Sequence, residues 1–431
     1  MKVIYIADNR SRANFGCRAT SIALSQLISS EHEVVRVISG QYTHKSGGPV
    51  FFCPGIPRVV YRLLSKLRGF GRLQRAWSKF ISKHDSLHRF FDFVCESPEK
   101  SVKNYLRSKA VNPHVDCFDL AQSEFDAIVI NGEGTMIMTN PVRRDSLIFL
   151  MFVQWAQQLG KKVYLVNAMF SDCPATGANL KTREITNDLL QKCDMVCTRD
   201  MESLRYIQTN FNEVCAQFIP DALFTWYRYA KEQPVLSNGR YCLPFRDEPD
   251  ANFEAFDFSK PYICVSGSSL AAWSQEDAYS AYLELINALK SELDLPIYIV
   301  IPCTGDNFLK RVALETNTPC IPQEVPILAA MGILSQSSLY ISGRFHPAIL
   351  ASLGGTPCVF MGSNSHKTES LQEMLGYEDI VEFGAMPSRQ DISDIIKLSR
   401  DKLEQGEVLR RKILDVVEVR SREASKLPKL F

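Results

Sequence analysis

The sequence has no long hydrophobic run, and no segment approaches the ~20 consecutive apolar residues that a membrane-spanning helix needs. The stretch Leu147–Trp155 comes nearest and is too short. The opening residues, MKVIYIADNR, form a short apolar segment that turns polar at once, without the long apolar region and small-residue cleavage site of a secretory signal. We therefore expect a cytoplasmic protein.

Excess charge of either sign is also missing. The formal net charge is +1, so nothing attracts the whole molecule to nucleic acid, and we expect no nucleic-acid partner. The 13 cysteines are irregularly spaced, and the closest pair, Cys193 and Cys197, is followed by no second pair or Cys/His cluster. No Walker loop, nucleophile elbow or glycine-rich dinucleotide fingerprint occurs. We predict reduced thiols, no metal site and no cofactor.

The chain does contain a repeated alternation of short apolar strands and amphipathic helices. A length of 431 residues suits two or three domains. We predict an α/β protein with two Rossmann-like domains that face each other across a cleft, one at 1–235 and one at 258–385. Residues 388–431 are predicted to form a C-terminal helix that packs back, and residues 227–257 to link the domains.

The alternation stops between residues 47 and 115, which we predict to be an insertion in the first domain. Within it, residues 58–89 carry nine lysines or arginines against one acid, with apolar residues at helical spacing. Such a basic amphipathic segment can lie on an anionic membrane surface, which would place the protein at the inner face of the membrane. It can equally pack on the domain with a solvated basic face.

The most informative stretch is residues 337–362, SSLYISGRFHPAILASLGGTPCVFMG, which predicts a strand, a tight turn, a helix and a second strand. Gly343 would allow unusual backbone angles at the carboxyl end of the first strand, where ligands bind in open α/β sheets. The helix start and Arg344 would offer N–H donors to an anion. His346 follows, and an imidazole titrates near neutrality, which suits a general acid or base; the alternative is a helix-cap histidine.

Polar side chains also end several other predicted strands: Asn131, Glu133, Asn167, Arg199 and Asp221. The carboxyl ends of parallel strands share one edge of a sheet. The recurrence of polar residues at these ends therefore supports each of the five as a candidate site residue. Glu133, between two glycines, would orient a sugar hydroxyl or act as a base, unless it is only an acid near a helix start. Arg199 and Arg344 could each hold a phosphate or carboxylate by a bidentate contact.

Taken together, these segments resemble the polysaccharide pyruvyl transferase family. The motifs that carry the resemblance are N-F-G at 14–16, G-E-G at 132–134, C-T-R-D-x-x-S at 197–203, P-D-A at 220–222 and, most specific, S-G-R-F-H-P-A-I-L-A with G-x-P at 342–357. The resemblance implies a two-domain enzyme of GT-B type. Such an enzyme moves the enolpyruvyl group of phosphoenolpyruvate onto two sugar hydroxyls as a ketal and releases phosphate.

The resemblance also implies roles for individual residues. Arg199 and Arg344 would bind the donor, His346 would be the general acid, and Glu133 would assist catalysis. The other candidates are Ser342, Gly343, Ser363 and Lys367 for the donor and Asn14, Arg18, Asn131 and Asn167 for the acceptor. The acceptor would be a cell-surface polysaccharide or its lipid-linked precursor, with phosphoenolpyruvate as co-substrate.

Two other functions stay open. A GT-B glycosyltransferase would use the arginines to hold the diphosphate of a nucleotide sugar; a carboxylate pair spaced E-x(7)-E in the second domain would favour this, and none is evident. A non-catalytic scaffold for glycan assembly could dock on a membrane through residues 58–89.

Overall fold

The computed structural model describes residues 1–43, 92–109, 118–232 and 256–431, together with residues 63, 66–69, 72, 76 and 80. Most of the predicted basic helical segment at 58–89 and most of the predicted linker lie outside the described residues. Within the described ranges, no helix is long and apolar enough to cross a membrane. The same ranges contain no cluster of His, Cys, Asp and Glu side chains that could hold a metal ion.

The first series of elements begins with strand β1 (Lys2–Asp8), helix α1 (Phe15–Glu31) and strand β2 (Glu33–Ser39). It continues with α2 (Pro98–Lys109), β3 (Ala127–Glu133), β4 (Ile137–Met138), α3 (Arg144–Gln158), β5 (Lys162–Ala168), β6 (Ser171–Asp172), α4 (Leu180–Leu190), β7 (Met195–Thr198), α5 (Met201–Asn210) and β8 (Ala216–Phe218). Six strands form a parallel sheet in the order β2-β1-β3-β5-β7-β8, and β4 pairs with β6. The central strands are runs of Ile, Val and Leu because helices cover both faces of such a sheet.

Part of the predicted insertion belongs to the core of this sheet. Helix α2 packs against α3, and the ring of Tyr105 lies 5.2 Å from that of Trp155. Phe93 meets Tyr105 edge-on at 5.4 Å, and both rings are fully buried. Aromatic side chains of this size contribute much of the buried apolar area of a core. Residues 92–109 are therefore a structural part of the first series, not a peripheral addition.

The second series begins with α6 (Tyr227–Glu232), so the segment predicted as a linker starts as a helix. It continues with β9 (Ile263–Ser268), α7 (Gln275–Glu292), β10 (Ile297–Val300), α8 (Leu309–Glu315), β11 (Cys320–Ile321), α9 (Ile327–Gln336), β12 (Leu339–Gly343), α10 (Phe345–Ser352), β13 (Cys358–Met361), α11 (Lys367–Met374), β14 (Glu382–Phe383) and α12 (Arg389–Ala424). The six strands form a parallel sheet in the order β11-β10-β9-β12-β13-β14. This is the 3-2-1-4-5-6 order of the Rossmann fold, with its reversal between β9 and β12.

The described cysteines behave as the sequence predicts. All of them are free thiols. Cys358 lies in the buried strand β13, and burial raises the pKa of its thiol to about 12. A thiol in such surroundings acts as a small hydrophobic side chain.

The chain divides into two compact units. The first contains residues 1–11, 25–218 and 428–431, and the second contains residues 12–24 and 219–427. The first half of α1 thus belongs with the second sheet, because the Phe15 N–H donates to the Pro302 carbonyl (2.9 Å) and Asn14 bridges to Cys303. Helix α12 also belongs to the second unit, since it packs on α7 and on the 3-10 segment Ala222–Trp226.

Helix α12 is broken at Gly406 (φ 46°, ψ −125°), and its second half is held by Arg410. The Arg410 guanidinium donates to the carbonyls of Ser335 (3.2 Å), Ser337 (2.6 Å) and Gly354 (2.6 Å). These carbonyls lie at the carboxyl ends of α9 and α10, where helices leave carbonyls without internal partners. The Arg410 side chain therefore donates hydrogen bonds to carbonyls at the ends of two helices, α9 and α10. Helix α10 carries residues of the site described below.

We expect Arg410→Met to lower the free energy of unfolding by about 2–4 kcal/mol, because it removes several charge-assisted hydrogen bonds to helix-end carbonyls. The measurement is urea unfolding followed by circular dichroism. Arg411→Met, at an exposed neighbouring position, is the matched control and should change the midpoint little. Equal midpoints for the two variants would contradict the capping role of Arg410.

Candidate functional site

The turn after β12 lies at the reversal of strand order in the second unit, where open α/β sheets bind ligands. A Cβ on Gly343 would lie 2.4 Å from the Ser268 Cβ and 2.8 Å from the Met361 carbonyl oxygen. Gly343 has no positive φ, so the predicted reason for this glycine was wrong. It is required because β9 and β13 approach too closely for any side chain.

The hydroxyl of Ser342 fixes the same turn. It donates to the Gly267 carbonyl (3.0 Å) and accepts from the Arg344 N–H (3.1 Å). Ser342 is 1% exposed. The hydroxyl thus orients Arg344 at the start of α10, and its predicted contact with a donor stays a prediction.

Arg344 is bound by Asp306, from the 3-10 segment Thr304–Asp306 that follows β10. Its Nε lies 3.0 Å from Asp306 Oδ2, and its Nη2 lies 2.5 Å from Oδ1. Asp306 is fully buried, whereas 16% of the Arg344 side chain is exposed. Asp306 therefore occupies one edge of the guanidinium, and only the outer N–H groups remain for a ligand.

The Arg344–Asp306 pair is a buried ion pair with balanced charge. Burial raises the pKa of Asp306, and Arg344 opposes that rise. Burial also works against the guanidinium charge, but Asp306 raises the pKa of Arg344 above its ordinary value. Since mutual attraction in a low-dielectric site favours both charges, we treat the pair as ionised. An anion at this turn would meet directed N–H donors rather than an uncompensated positive charge.

His346 lies on the first turn of α10 and contacts Asp221. The His346 Nε2 is 3.1 Å from Asp221 Oδ2. Asp221 is fully buried, and 12% of the His346 side chain is exposed. The other Asp221 oxygen accepts from the Thr20 hydroxyl (2.8 Å) and from the Leu223 N–H (3.0 Å). The imidazole is thus one of the groups that contact this carboxylate.

The first turn of α1 closes over this histidine. A Cβ on Gly16 would lie 2.5 Å from His346 Nδ1, so glycine is needed to admit the ring. The Asn14 side chain accepts from the Cys17 N–H (3.1 Å) and so caps α1. Arg18 donates to the Val325 carbonyl, and burial lowers the pKa of its guanidinium. Both predicted acceptor ligands therefore also hold α1 against the second unit.

The loop after β13 supplies the remaining predicted donor ligands. Lys367 Nζ donates to the Asn364 side-chain oxygen (2.5 Å), which also accepts from the Ser269 hydroxyl (3.2 Å). Ser363 donates to the Ser365 carbonyl (2.6 Å) and accepts from Thr368 (2.9 Å). Ser269 follows β9 directly, so this loop is tied to the strand-order reversal that positions Arg344.

The first unit has its own polar cluster at the reversal between β1 and β3. Glu133 Oε1 accepts from the side chains of Asn9 (2.7 Å) and Asn131 (3.0 Å), and Asn167 donates to Asn131 (3.3 Å). Glu133 and Asn167 both have positive φ (39° and 54°), which is uncommon for residues other than glycine and clusters at functional sites. Glu133 is buried within a network of amides.

Arg199 ends β7 in the first unit and is 2% exposed. Its backbone N–H donates to the Ala168 carbonyl (3.0 Å), and its Nη2 lies 3.5 Å from the Met169 sulfur. Asp200 caps the following helix by accepting from the Ser203 N–H (2.8 Å).

The structure therefore sorts the predicted site residues into two groups. In the second unit lie Asn14, Arg18, Ser342, Gly343, Arg344, His346, Ser363 and Lys367. In the first unit lie Asn131, Glu133, Asn167 and Arg199. Asp221, which the sequence marked only as a strand-end residue, is now part of the site, and so are three residues that sequence reasoning did not single out: Asn9, Thr20 and Asp306. Asp306 comes from the loop after β10, and Thr20 lies inside an ordinary helical pattern that gave no signal.

The family follows from a comparison with family models. The model for polysaccharide pyruvyl transferase matches residues 14–365, which include every residue of both polar clusters except Asn9 and Lys367. The chain belongs to this family, as its motifs indicated. No curated protein sequence matches it significantly.

Solved structures confirm the predicted fold class. A candidate UDP-N-acetylglucosamine 2-epimerase from Listeria monocytogenes has a TM-score of 0.53 at 11% identity, with 99% of this chain and 94% of that chain covered. The N-terminal domain of trehalose-6-phosphate phosphatase from Candida albicans has a TM-score of 0.52 at 9% identity, with 99% of this chain and 97% of that chain covered. A variant of Os79 from O. sativa in complex with UDP has a TM-score of 0.51 at 12% identity, with 99% of this chain and 98% of that chain covered. Identities this low show the fold alone, a GT-B-like pair of parallel sheets.

Proposed function

We propose that this protein transfers the enolpyruvyl group of phosphoenolpyruvate onto two hydroxyls of a sugar in a cell-surface polysaccharide or its lipid-linked precursor. The observation that carries the proposal is the start of α10. There an imidazole held by a buried carboxylate lies two residues from a guanidinium held by a second buried carboxylate. A proton donor beside anion-binding N–H groups is what an anionic enol phosphate requires.

The reaction balances as follows. The methylene carbon of phosphoenolpyruvate gains a proton and becomes a methyl group, which leaves a cation-like centre at C2. Two acceptor hydroxyls form C–O bonds to C2, and the C2–O bond to phosphate breaks. Of the two hydroxyl protons, one replaces the proton given to the methylene carbon and the other leaves with phosphate. No redox step or cofactor is needed.

The residues of the second unit suit these steps. His346 would protonate the methylene carbon and then recover a proton from an attacking hydroxyl. The outer N–H groups of Arg344 would bind the donor phosphate or carboxylate, with Lys367 as a second cation. Glu133 and Arg199 belong to the first unit, and their roles in acceptor activation and donor binding stay predictions. Phosphoenolpyruvate is an intracellular metabolite, so the proposal places the enzyme in the cytoplasm.

The fold supports one alternative. Os79 of O. sativa, which shares the fold, is bound to UDP in its structure. In a glycosyl transfer, Arg344 and Lys367 would instead hold the diphosphate of a nucleotide sugar.

The decisive measurement is a thermal-shift titration with phosphoenolpyruvate, compared with UDP-, GDP- and CMP-sugars. A ligand that binds only the folded protein adds about 2.7 kcal/mol of stability at a concentration 100 times its dissociation constant. We expect phosphoenolpyruvate to raise the midpoint and Lys367→Met to reduce that shift. Lys310→Met, which removes an exposed lysine on α8, is the matched control and should keep it. A shift with a nucleotide sugar alone would replace pyruvyl transfer by glycosyl transfer.

A further inference from the structure

Asp221 differs from an ordinary helix-capping aspartate because its two oxygens face different groups. Oδ1 accepts from the Leu223 N–H (3.0 Å) and from the Thr20 hydroxyl (2.8 Å). Oδ2 faces His346 Nε2 at 3.1 Å. The Leu223 bond alone would cap the segment Ala222–Trp226, so the Thr20 and His346 contacts exceed what capping needs.

The contact with His346 determines which ring nitrogen carries the proton. A carboxylate only accepts hydrogen bonds, so the nitrogen that faces it must be Nε2–H. When the ring is neutral, Nδ1 is then the basic nitrogen. Thr20 and Asp221 are both 0% exposed, so bulk water does not compete for these contacts.

We propose that Asp221, held by Thr20, is a positioning residue that keeps His346 protonated on Nε2 and thereby assigns proton transfer to Nδ1. The inference rests on the proposed function, in which His346 exchanges a proton with the methylene carbon of the donor. A Cβ on Gly16 would lie 2.5 Å from Nδ1, so the glycine at this position keeps a side chain out of the space beside that nitrogen.

An Asp221→Asn variant gives the sharpest test because its hydrogen bonds are dictated by its neighbours. The Leu223 N–H and the Thr20 hydroxyl both need an acceptor, so the amide oxygen of the new side chain must face them. Its NH₂ group then faces His346 Nε2, which can accept only if the proton moves to Nδ1. The substitution is isosteric and should preserve the fold while it inverts the tautomer.

The experiment combines kinetics with long-range ¹H–¹⁵N NMR of protein labelled on histidine, in which His346→Gln identifies the His346 signals. We expect the Nε2–H tautomer in the wild-type protein and the Nδ1–H tautomer in Asp221→Asn. We expect kcat to fall about 10²- to 10⁴-fold in that variant, with the KM for phosphoenolpyruvate little changed. Thr20→Val should give a mixture of tautomers and an intermediate kcat, since the amide is then free to rotate.

The control is Thr225→Val, which removes a buried hydroxyl that donates to the Ala222 carbonyl (2.7 Å) in the same 3-10 segment. It should leave both tautomer and kcat unchanged. A wild-type Nδ1–H tautomer would overturn the inference, and so would a loss of kcat in Asp221→Asn without inversion. If the tautomers behave as expected but the wild-type protein transfers no pyruvyl group, the proposed function fails and the positioning role stands.

Discussion

Asp306→Leu is expected to be strongly destabilising, by roughly 3–5 kcal/mol, because it leaves the Arg344 guanidinium buried without its carboxylate. The two residues share a bidentate contact of 3.0 and 2.5 Å, and Asp306 has no exposed surface. Desolvation of the remaining charge is the dominant cost, since water cannot replace the lost partner. Urea unfolding at neutral pH measures the change.

The double variant Asp306→Leu with Arg344→Met separates stability from ligand binding. Replacing both members of a buried pair by apolar side chains of similar volume is often neutral for stability or even favourable. We therefore expect the double variant to regain most of the lost stability yet to show no thermal shift with phosphoenolpyruvate. Arg311→Met, which breaks the exposed pair with Glu276, is the control and should leave both properties intact.

The outcome discriminates between two roles of Arg344. If the double variant still binds phosphoenolpyruvate as tightly as the wild-type protein, Arg344 is a structural residue and the donor site lies elsewhere. If Asp306→Leu costs no stability, the pair is not the buried ion pair that its geometry indicates.

The fold was largely predictable because each strand can be recognised from its own short stretch of sequence. The runs 3–7 and 262–265 are apolar or aromatic at every position, which is typical of a parallel sheet covered on both faces. Their order in each sheet was not predicted, because the handedness of crossovers does not fix where the order reverses. Periodicity could not show that the first half of α1 belongs to the second unit. That outcome depends on hydrogen bonds such as Phe15 N–H to Pro302, about 290 residues away in sequence.

The site was predictable to the extent that its residues end strands. Arg344 and His346 were found because strand, glycine turn and helix follow one another in a single stretch of sequence. Their carboxylate partners were not paired with them, because Asp306 and Asp221 come from other loops. A sequence shows which side chains reach a sheet edge, but not which of them form hydrogen bonds with one another. Lone arginines were therefore predicted where the structure has ion pairs.

These partners change how the site would work. An arginine already neutralised by Asp306 attracts anions less than an isolated one, but its N–H groups are fixed in direction before a ligand arrives. Preorganised donors cost no reorganisation during the reaction, and this contributes more to catalysis than net charge does. The same reasoning applies to His346, whose Nε2 is held by Asp221.

His346→Gln is accordingly expected to abolish turnover without abolishing donor binding. A glutamine amide can donate to Asp221 from nearly the position of Nε2, so the buried carboxylate keeps a partner and the fold should survive. The variant has no titratable group, and loss of a general acid typically costs about 10²- to 10⁴-fold in rate. Phosphate release from phosphoenolpyruvate in the presence of acceptor glycans measures kcat.

The matched comparison is His32→Gln, which changes a histidine of the first unit that contacts the Pro428 carbonyl (2.8 Å) and should leave kcat unaltered. His346→Asn instead places an amide near the position of Nδ1, from which it cannot donate to Asp221. This variant should therefore lose stability as well as turnover. A thermal shift with phosphoenolpyruvate that persists in His346→Gln while kcat collapses would assign this histidine to chemistry rather than to binding. Undiminished turnover in His346→Gln would show that the proton comes from another group, and Glu133 would then be the next residue to replace.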